Sequence, residues 1–175
     1  RKTSIRMISQ DNLGKGAALN NAINECRGEF FACLDSDSFV EPETLNKMLC
    51  VFEQGSPDIA IVTPAMKVFK PKSTIQKFQR IEYLLALLFN RVLSHLDALY
   101  VAPGPFSLYR TSIVKGVGGF DEKNLTEDQE IGYRMQKFNY RLKHCFDGYV
   151  YTVSPSGIKA LFRQRSRWWS GSILN

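Results

Sequence analysis

Phe31-Ala32-Cys33-Leu34-Asp35-Ser36-Asp37-Ser38 is an apolar run that stops abruptly at two carboxylates, one residue apart. Phe30 to Leu34 is short, aromatic-rich and bounded by polar residues, and so reads as a buried strand. Side chains alternate along an extended chain, so Asp35 and Asp37 can point the same way from its carboxyl end. In open α/β sheets that edge is where ligands bind. Two carboxylates facing one spot repel unless a positive charge separates them. A divalent cation supplies that charge, and a diphosphate supplies the cation's remaining oxygen ligands. The plainer reading is a polar turn or a helix cap. The next helix, however, starts near Glu41-Pro42, too far along for either Asp to cap it. Alone, Asp-x-Asp is a weak signal.

The elements on either side give the stretch a setting. Before it come a strand over Ile5–Ser9, a polar loop, and a helix over Gly16–Cys26 with Ala17, Ala18, Ala22 and Ile23 on its apolar side. After it come a helix over Pro42–Glu53 and a strand over Asp58–Ala65. Strands alternating with helices predict an α/β protein with a parallel sheet. The 175 residues suffice for one domain with a real core. Ser73–Leu96 has helical periodicity, and its centre, Tyr83–Phe89, is apolar all round. It is too short to span a membrane, which predicts packing on two sides or an interface. Further on, a loop holds Pro103-Gly104-Pro105 and a short strand covers Phe106–Tyr109. Helices over Thr111–Val117 and Glu127–Phe138, strands over Arg141–Phe146 and Tyr149–Val153, and a helix over Gly157–Trp169 complete the pattern.

The net charge of +6 points to an anionic partner: a phosphorylated ligand, an anionic membrane surface or nucleic acid. The basic residues are spread along the chain and form no stripe, which argues against nucleic acid. Cys26, Cys33, Cys50 and Cys145 have no C-x-x-C spacing and read as buried reduced thiols, compatible with the cytosol. His95 and His144 lack metal-ligand spacing and read as structural or surface residues. There is no signal peptide and no apolar run long enough to cross a membrane. A chain starting at Arg1 and stopping just after Trp168-Trp169 reads as a segment of a longer protein.

Three further constellations carry chemistry. In Asn12-Leu13-Gly14-Lys15-Gly16, a lysine among glycines at the start of a helix suits a phosphate contact or simply a solvated helix start. In Leu125-Thr126-Glu127-Asp128-Gln129, Thr126 and Gln129 have capping-box spacing. Acidic residues in a first turn are favoured by the helix dipole without any function. The same dipole would keep Asp128 ionised, as a general base must be. Upstream, Gly118-Gly119-Phe120-Asp121 would let the backbone bring this turn close to a ligand. In Gln164-Arg165-Ser166-Arg167-Trp168, helical spacing puts Gln164, Arg167 and Trp168 on one face, with Arg165 and Trp169 turned toward Ile158 and Phe162. Such a helix lies on a membrane surface or on the core. The sharper reading has Gln164 and Arg167 holding a pyrophosphate while Trp168 stacks on a sugar.

Taken in order, Asp35-Ser-Asp37, Thr126-Glu-Asp128 and Gln164-x-x-Arg167-Trp168 resemble glycosyltransferase family 2. The last motif is similar to that of the processive membrane synthases of cellulose, chitin, hyaluronan and poly-N-acetylglucosamine. Asn12-x-Gly14-Lys15 with Ala17, Leu19 and Asn20, and Gly118-Gly119-Phe120-Asp121, also match. The resemblance implies a GT-A fold, a mixed and mostly parallel sheet flanked by helices. It divides the chain into a nucleotide- and metal-binding part (1–66), an acceptor and base part (67–156) and an interfacial helix (157–175). The resemblance implies that the strand and acidic turn that grip uracil and ribose in the family would come before Arg1-Lys2, so that unit is expected to be missing from this segment.

The resemblance also implies roles. Lys15 and Asp35 would lie at the nucleotide sugar, and Asp37 would bind Mg²⁺ or Mn²⁺ bridging the diphosphate. Asp128 would be the catalytic base. Gln164 and Arg167 would hold the pyrophosphate, with Gly104, Glu127 and Trp168 at the acceptor. The implied partners are a UDP-sugar donor, a glycan acceptor and a membrane reached through segments outside this chain, with the domain on the cytoplasmic face. The implied reaction is inverting transfer of glucose or N-acetylglucosamine to a growing β-linked polysaccharide. Its rivals are transfer to a lipid-linked or short glycan, sugar nucleotidyl transfer, and a non-catalytic glycan-binding domain.

Overall fold

In the computed structural model of the chain, residues 5–175 are described, so Arg1-Lys2 lie outside it. The elements are α1 (Lys15–Glu25), β1 (Phe30–Ala32), β2 (Ser38–Val40), α2 (Thr44–Gln54), β3 (Ile59–Val68) and α3 (Thr74–His95). They continue with β4 (Leu108–Arg110), α4 (Thr111–Gly116), α5 (Glu127–Lys137), β5 (Arg141–Thr152) and α6 (Ile158–Leu174). The described residues form one five-stranded sheet in the order β1-β4-β3-β5-β2.

The sheet is mixed, as expected, but its pairings are not mostly parallel. β3 and β5 run parallel, while β1/β4, β3/β4 and β2/β5 are antiparallel. β4 slots in between β1 and β3 against their direction, so alternation of strands and helices overstates the parallel character. The expected strand over Ile5–Ser9 is absent: this stretch is irregular, with Ile5 98% and Met7 90% exposed. The two β-rich runs after Arg141 are a single strand, β5, with a register shift opposite Pro64/Ala65.

β3 explains the architecture. Every residue from Ile59 to Ala65 is buried, as a strand covered on both faces requires. Ile59 and Val62 pack with Met48 and Phe52 of α2 and with Leu108, whereas Ala60 and Ile61 pack with Tyr109 and with Ile131 and Met135 of α5. α3 begins at a true capping box: Ser73 Oγ accepts from Gln76 N (3.2 Å), and Gln76 Oε1 accepts from Ser73 N (3.2 Å). The box expected at Thr126 does not form. Thr126 Oγ1 accepts instead from Asn175 Nδ2 at the end of α6 (3.1 Å).

Two loops are pinned where the site needs them. Asn20 on α1 bonds both backbone groups of Phe120, donating to its carbonyl (2.9 Å) and accepting from its N–H (2.8 Å). This holds Gly119 at φ 76°, where a Cβ would meet Asn20 Oδ1 at 2.5 Å. The Gly-Gly-Phe-Asp turn therefore closes on α1. The proline loop is fixed to α5, with Ala102 N donating to the Asp128 carbonyl (3.2 Å) and Gly132 lying flush on the Tyr100 carbonyl.

Outward-facing apolar residues remain uncovered on α3 (Phe78, Ile81, Leu85, Leu88, Phe89, Val92) and on α6 (Phe162, Trp169, Ile173). The centre of α3 is thus packed on one side only. Among the described residues no helix is long and apolar enough to cross a membrane. Cys50 is exposed and Cys26 and Cys33 are half-buried, so only Cys145 is the fully buried thiol expected of all four; all are unpaired. His144 is buried, its Nδ1 2.8 Å from Thr63 Oγ1, and burial pushes it down to about 4, so it stays a neutral core residue.

Candidate active site

β1 ends at Ala32, so Asp35 and Asp37 do not extend a strand. They sit in the turn that leads into β2, a strand whose three residues and distant partner left no mark in the sequence pattern. The turn is fastened from all sides. Ser38 N donates to the Asp35 carbonyl (3.0 Å), Val153 N to the Asp37 carbonyl (3.4 Å) and Phe106 N to the Cys33 carbonyl (2.6 Å). Both carboxylates open into a cavity of about 410 Å³. Lys15, Gly104, Glu127, Asp128, Gln164, Arg167 and Trp168 line the same cavity, so every residue singled out for the site converges on it.

The floor is a knot of charge. Lys15 Nζ lies 3.2 Å from Asp35 Oδ1 and 3.1 Å from Glu127 Oε1. Burial works against the Lys15 ammonium, but Glu127 and Asp35 outweigh it and hold its pKa above the usual lysine value. Gly104 fits into this knot because it has no side chain: a Cβ there would lie 2.8 Å from Lys15 Nζ, 3.3 Å from Asp35 Oδ2 and 4.0 Å from Asp128 Oδ2.

Asp128 is at the start of α5, where its Oδ1 accepts from Gln129 N (2.9 Å). The helix dipole was expected to keep it ionised. Instead, burial first and the neighbouring Glu127 charge second push its carboxyl above the ordinary aspartate value, against the pull of Lys15 and of the Gln129 and Gly104 amides. A carboxylate raised in this way is a better proton acceptor than a solvated one.

The opposite wall is α6. Its approach segment is tied to α3, through Gln76 Nε2 to the Ser154 carbonyl (2.8 Å) and Gln79 Nε2 to the Pro155 carbonyl (2.8 Å). Its far end is tied to α5, through Ser172 Oγ to Gln129 Oε1 (2.7 Å) and the packing of Gly171 on Thr126. Between these ties, Gln164 Oε1 is buried with no hydrogen-bond partner, and Arg167 is exposed at the cavity.

Arg165 does not turn away toward Ile158 and Phe162. It lines the cavity, bonds Glu82 Oε2 (2.6 Å) and lies over the Trp168 ring, 4.4 Å from its centroid. Glu82 and Tyr83 of α3 also line the cavity, and the sequence reading passed over both. One signal was there to find, since Glu82 is the sole carboxylate in α3.

The sequence model of glycosyltransferase like family 2 matches residues 2–171. The chain belongs to that family. Among its relatives, the poly-beta-1,6-N-acetyl-D-glucosamine synthase of Staphylococcus epidermidis is 30% identical over 161 residues, covering 91% of this chain and 39% of the relative. The synthase of the same name from Staphylococcus aureus is 29% identical over 163 residues, covering 93% and 39%. This family 2 chain therefore spans about two fifths of the length of those relatives.

The fold is shared with solved GT-A glycosyltransferases. A mannosyltransferase from Pyrobaculum calidifontis, in complex with GDP-Man and Mn²⁺, superimposes with a TM-score of 0.67 at 19% identity, covering 91% of this chain and 41% of that one. S. aureus TarS in complex with UDP-GlcNAc superimposes with a TM-score of 0.56 at 22% identity, covering 82% and 40%.

Membership of this family raises the question of a divalent metal. Among the described residues no three His, Cys, Asp or Glu side chains are grouped to hold one unaided. The donor chemistry still fits. Asp35 is engaged by Lys15, while Asp37 is exposed at the cavity and accepts a hydrogen bond from the Ser38 hydroxyl (3.3 Å). A single hard carboxylate suits Mg²⁺ or Mn²⁺ when diphosphate oxygens and waters complete the shell.

Proposed function

We propose that the protein is an inverting, metal-dependent glycosyltransferase. It moves a sugar, N-acetylglucosamine or glucose, from a UDP-sugar to a hydroxyl of a growing β-linked glycan. The observation that carries this reading is one cavity holding a raised carboxylate at Asp128, a diphosphate-compatible carboxylate at Asp37, the cations of Lys15 and Arg167, and an indole at Trp168. The relatives named as N-acetylglucosamine polymer synthases support the sugar and the polymeric product. The neighbours bound to UDP-GlcNAc and to GDP-Man with Mn²⁺ support the donor class and the metal.

The acceptor oxygen attacks the anomeric carbon and the bond from that carbon to the diphosphate breaks. The acceptor proton passes to the Asp128 carboxylate, which is half-buried and so partly shielded from water. Arg167 and the Gln164 amide N–H donate to the departing diphosphate, while the buried Gln164 Oε1, an acceptor without a partner, is open to a hydroxyl of an entering ligand. A divalent ion held through Asp37 would offset the charge developing on that leaving group. Gly104, Glu127 and Trp168 form the acceptor side. The uncovered apolar stripes of α3 and α6 support a position at the cytoplasmic face of a membrane, with further segments of the parent protein anchoring it.

The test is nucleoside diphosphate release by the full-length protein in membranes, across a panel of UDP- and GDP-sugars with Mg²⁺ or Mn²⁺. One donor should give release, and Asp128→Asn should lower it by about 10²–10⁴-fold while leaving nucleotide binding intact. Normal release by that variant, or release of pyrophosphate in place of a nucleoside diphosphate, would overturn the reading.

A further inference from the structure

We propose that Arg165 is a positioning residue: braced by Glu82 across the seam between α3 and α6, it fixes the plane of Trp168 as a platform for the acceptor sugar. The inference rests on the transferase reading above and assigns a device that reading does not require.

Three observations carry it. Arg165 makes two contacts at once, the ion pair with Glu82 Oε2 at 2.6 Å and the stack on Trp168 at 4.4 Å. A guanidinium is planar and can do both, lying flat on an indole while its edge bonds a carboxylate. Arg165 and Trp168 line the same cavity, so the guanidinium and the indole it lies over meet a ligand there together. Apolar sugar faces stack on such surfaces.

The second observation is that α6 has ties besides this brace. α6 is already tied to α3 before its first turn and to the start of α5 at its last. The third concerns energetics. Glu82 is 52% exposed and Arg165 20%, and an ion pair with one partner so wet adds little to stability. What the pair does supply is orientation, at the one point of α6 where side chains meet the cavity and neither end tie reaches.

The experiment uses the full-length protein with Arg165→Leu, Glu82→Gln, the double variant and Arg165→Lys. Binding of β-linked glucose and N-acetylglucosamine oligosaccharides is followed through the tryptophan fluorescence change that Trp168→Phe abolishes. Acceptor and donor KM are measured alongside. Arg165→Leu should weaken oligosaccharide binding and raise acceptor KM roughly tenfold, with donor KM unchanged. Glu82→Gln should give roughly a threefold change. The double variant should match Arg165→Leu alone, because Glu82 acts only through Arg165. Arg165→Lys should not restore binding, since an ammonium cannot both stack flat and bond edge-on.

Unchanged oligosaccharide binding in Arg165→Leu, a matching rise in donor KM, or additive single effects would each overturn the inference. So would a wild-type protein that binds no oligosaccharide. Arg165-dependent binding in a protein that transfers no sugar would sink the transferase reading and leave the platform standing. Transfer with an acceptor KM indifferent to both Arg165 and Glu82 would do the reverse.

Discussion

On the cavity floor, Lys15 is bonded to Asp35 and to Glu127, and Gly104 packs against the same knot. On the α6 wall, Gln164 Oε1 is buried without a partner and Arg167 stands exposed. The floor's lysine is already shared between two carboxylates before any ligand arrives. The wall's two polar groups are not paired with each other, and both open to whatever enters the cavity. Preorganised charge at the reacting centre is where electrostatic catalysis gains most, because nothing needs to reorient during the reaction. A wall left unsatisfied can instead bind and release a substrate that must leave. Under the proposed function, chemistry belongs to the floor and holding to the wall, and this division can be broken at either place.

The largest effect is expected at Gly104. In Gly104→Ala the new Cβ would sit 2.8 Å from Lys15 Nζ and 3.3 Å from Asp35 Oδ2. The atom that must yield most is the tip of a flexible lysine, so the protein should fold. What is lost is the placement of that lysine between its carboxylates. Displacements on this scale at a reacting centre cost about a hundredfold in rate. Steady-state kinetics of Gly104→Ala should show this loss mainly in kcat. A loss confined to KM would mean that the floor binds rather than reacts, and the distinction from the wall would fail.

Gly171→Ala probes the wall. The new Cβ would lie 2.8 Å from Thr126 Cβ and closer still to its hydroxyl and methyl, pushing α6 off the start of α5. Overpacking of this kind costs about 1–3 kcal/mol, readable in a denaturant titration. Its kinetic signature should be a several-fold rise in donor KM with kcat nearly kept, the opposite split from Gly104→Ala. Equal falls in kcat for the two variants would erase the division of labour.

This division also marks what the sequence could reveal. The residues that meet at the cavity were legible in short motifs because their types and spacing are set locally: Asp35 and Asp37, Glu127 and Asp128, Gln164 and Arg167. Arg165 was misread because a helical wheel assigns a side chain to a face but ignores its reach. This one folds back over Trp168 toward a carboxylate on another helix, and the pairing spans residues 82 and 165. β2 was missed for a similar reason, since Ser38–Val40 becomes a strand only by pairing with Val150–Thr152. Helix periodicity located α3 and α5 to within a residue or two, whereas strand direction depends on partners that periodicity does not report. Asp128 was misjudged by weighing the local dipole without the burial that tertiary packing adds.

That misjudgement leads to the smallest expected effect and the sharpest test of the floor as one electrostatic unit. Asp128 must be ionised to accept a proton, so kcat/KM should fall as pH drops through its raised pKa. Burial is the first cause of the rise and the Glu127 charge the second. Glu127→Gln removes the second and leaves Lys15 one carboxylate fewer to share. Both changes favour ionised Asp128, so the acid limb should move to lower pH, whereas Glu127→Asp should leave it in place. The same shift has a stability counterpart of definite sign. The folded state holds the Asp128 proton more tightly than the unfolded chain, so this group's contribution to stability declines as pH rises between the two pKa values. Asp128→Asn should therefore raise the melting temperature at neutral pH, and the gain should fade on acidification through that window. An acid limb unmoved by Glu127→Gln, with the neutral-pH gain of Asp128→Asn intact, would show that burial alone sets Asp128. The floor would then act as a collection of separate groups.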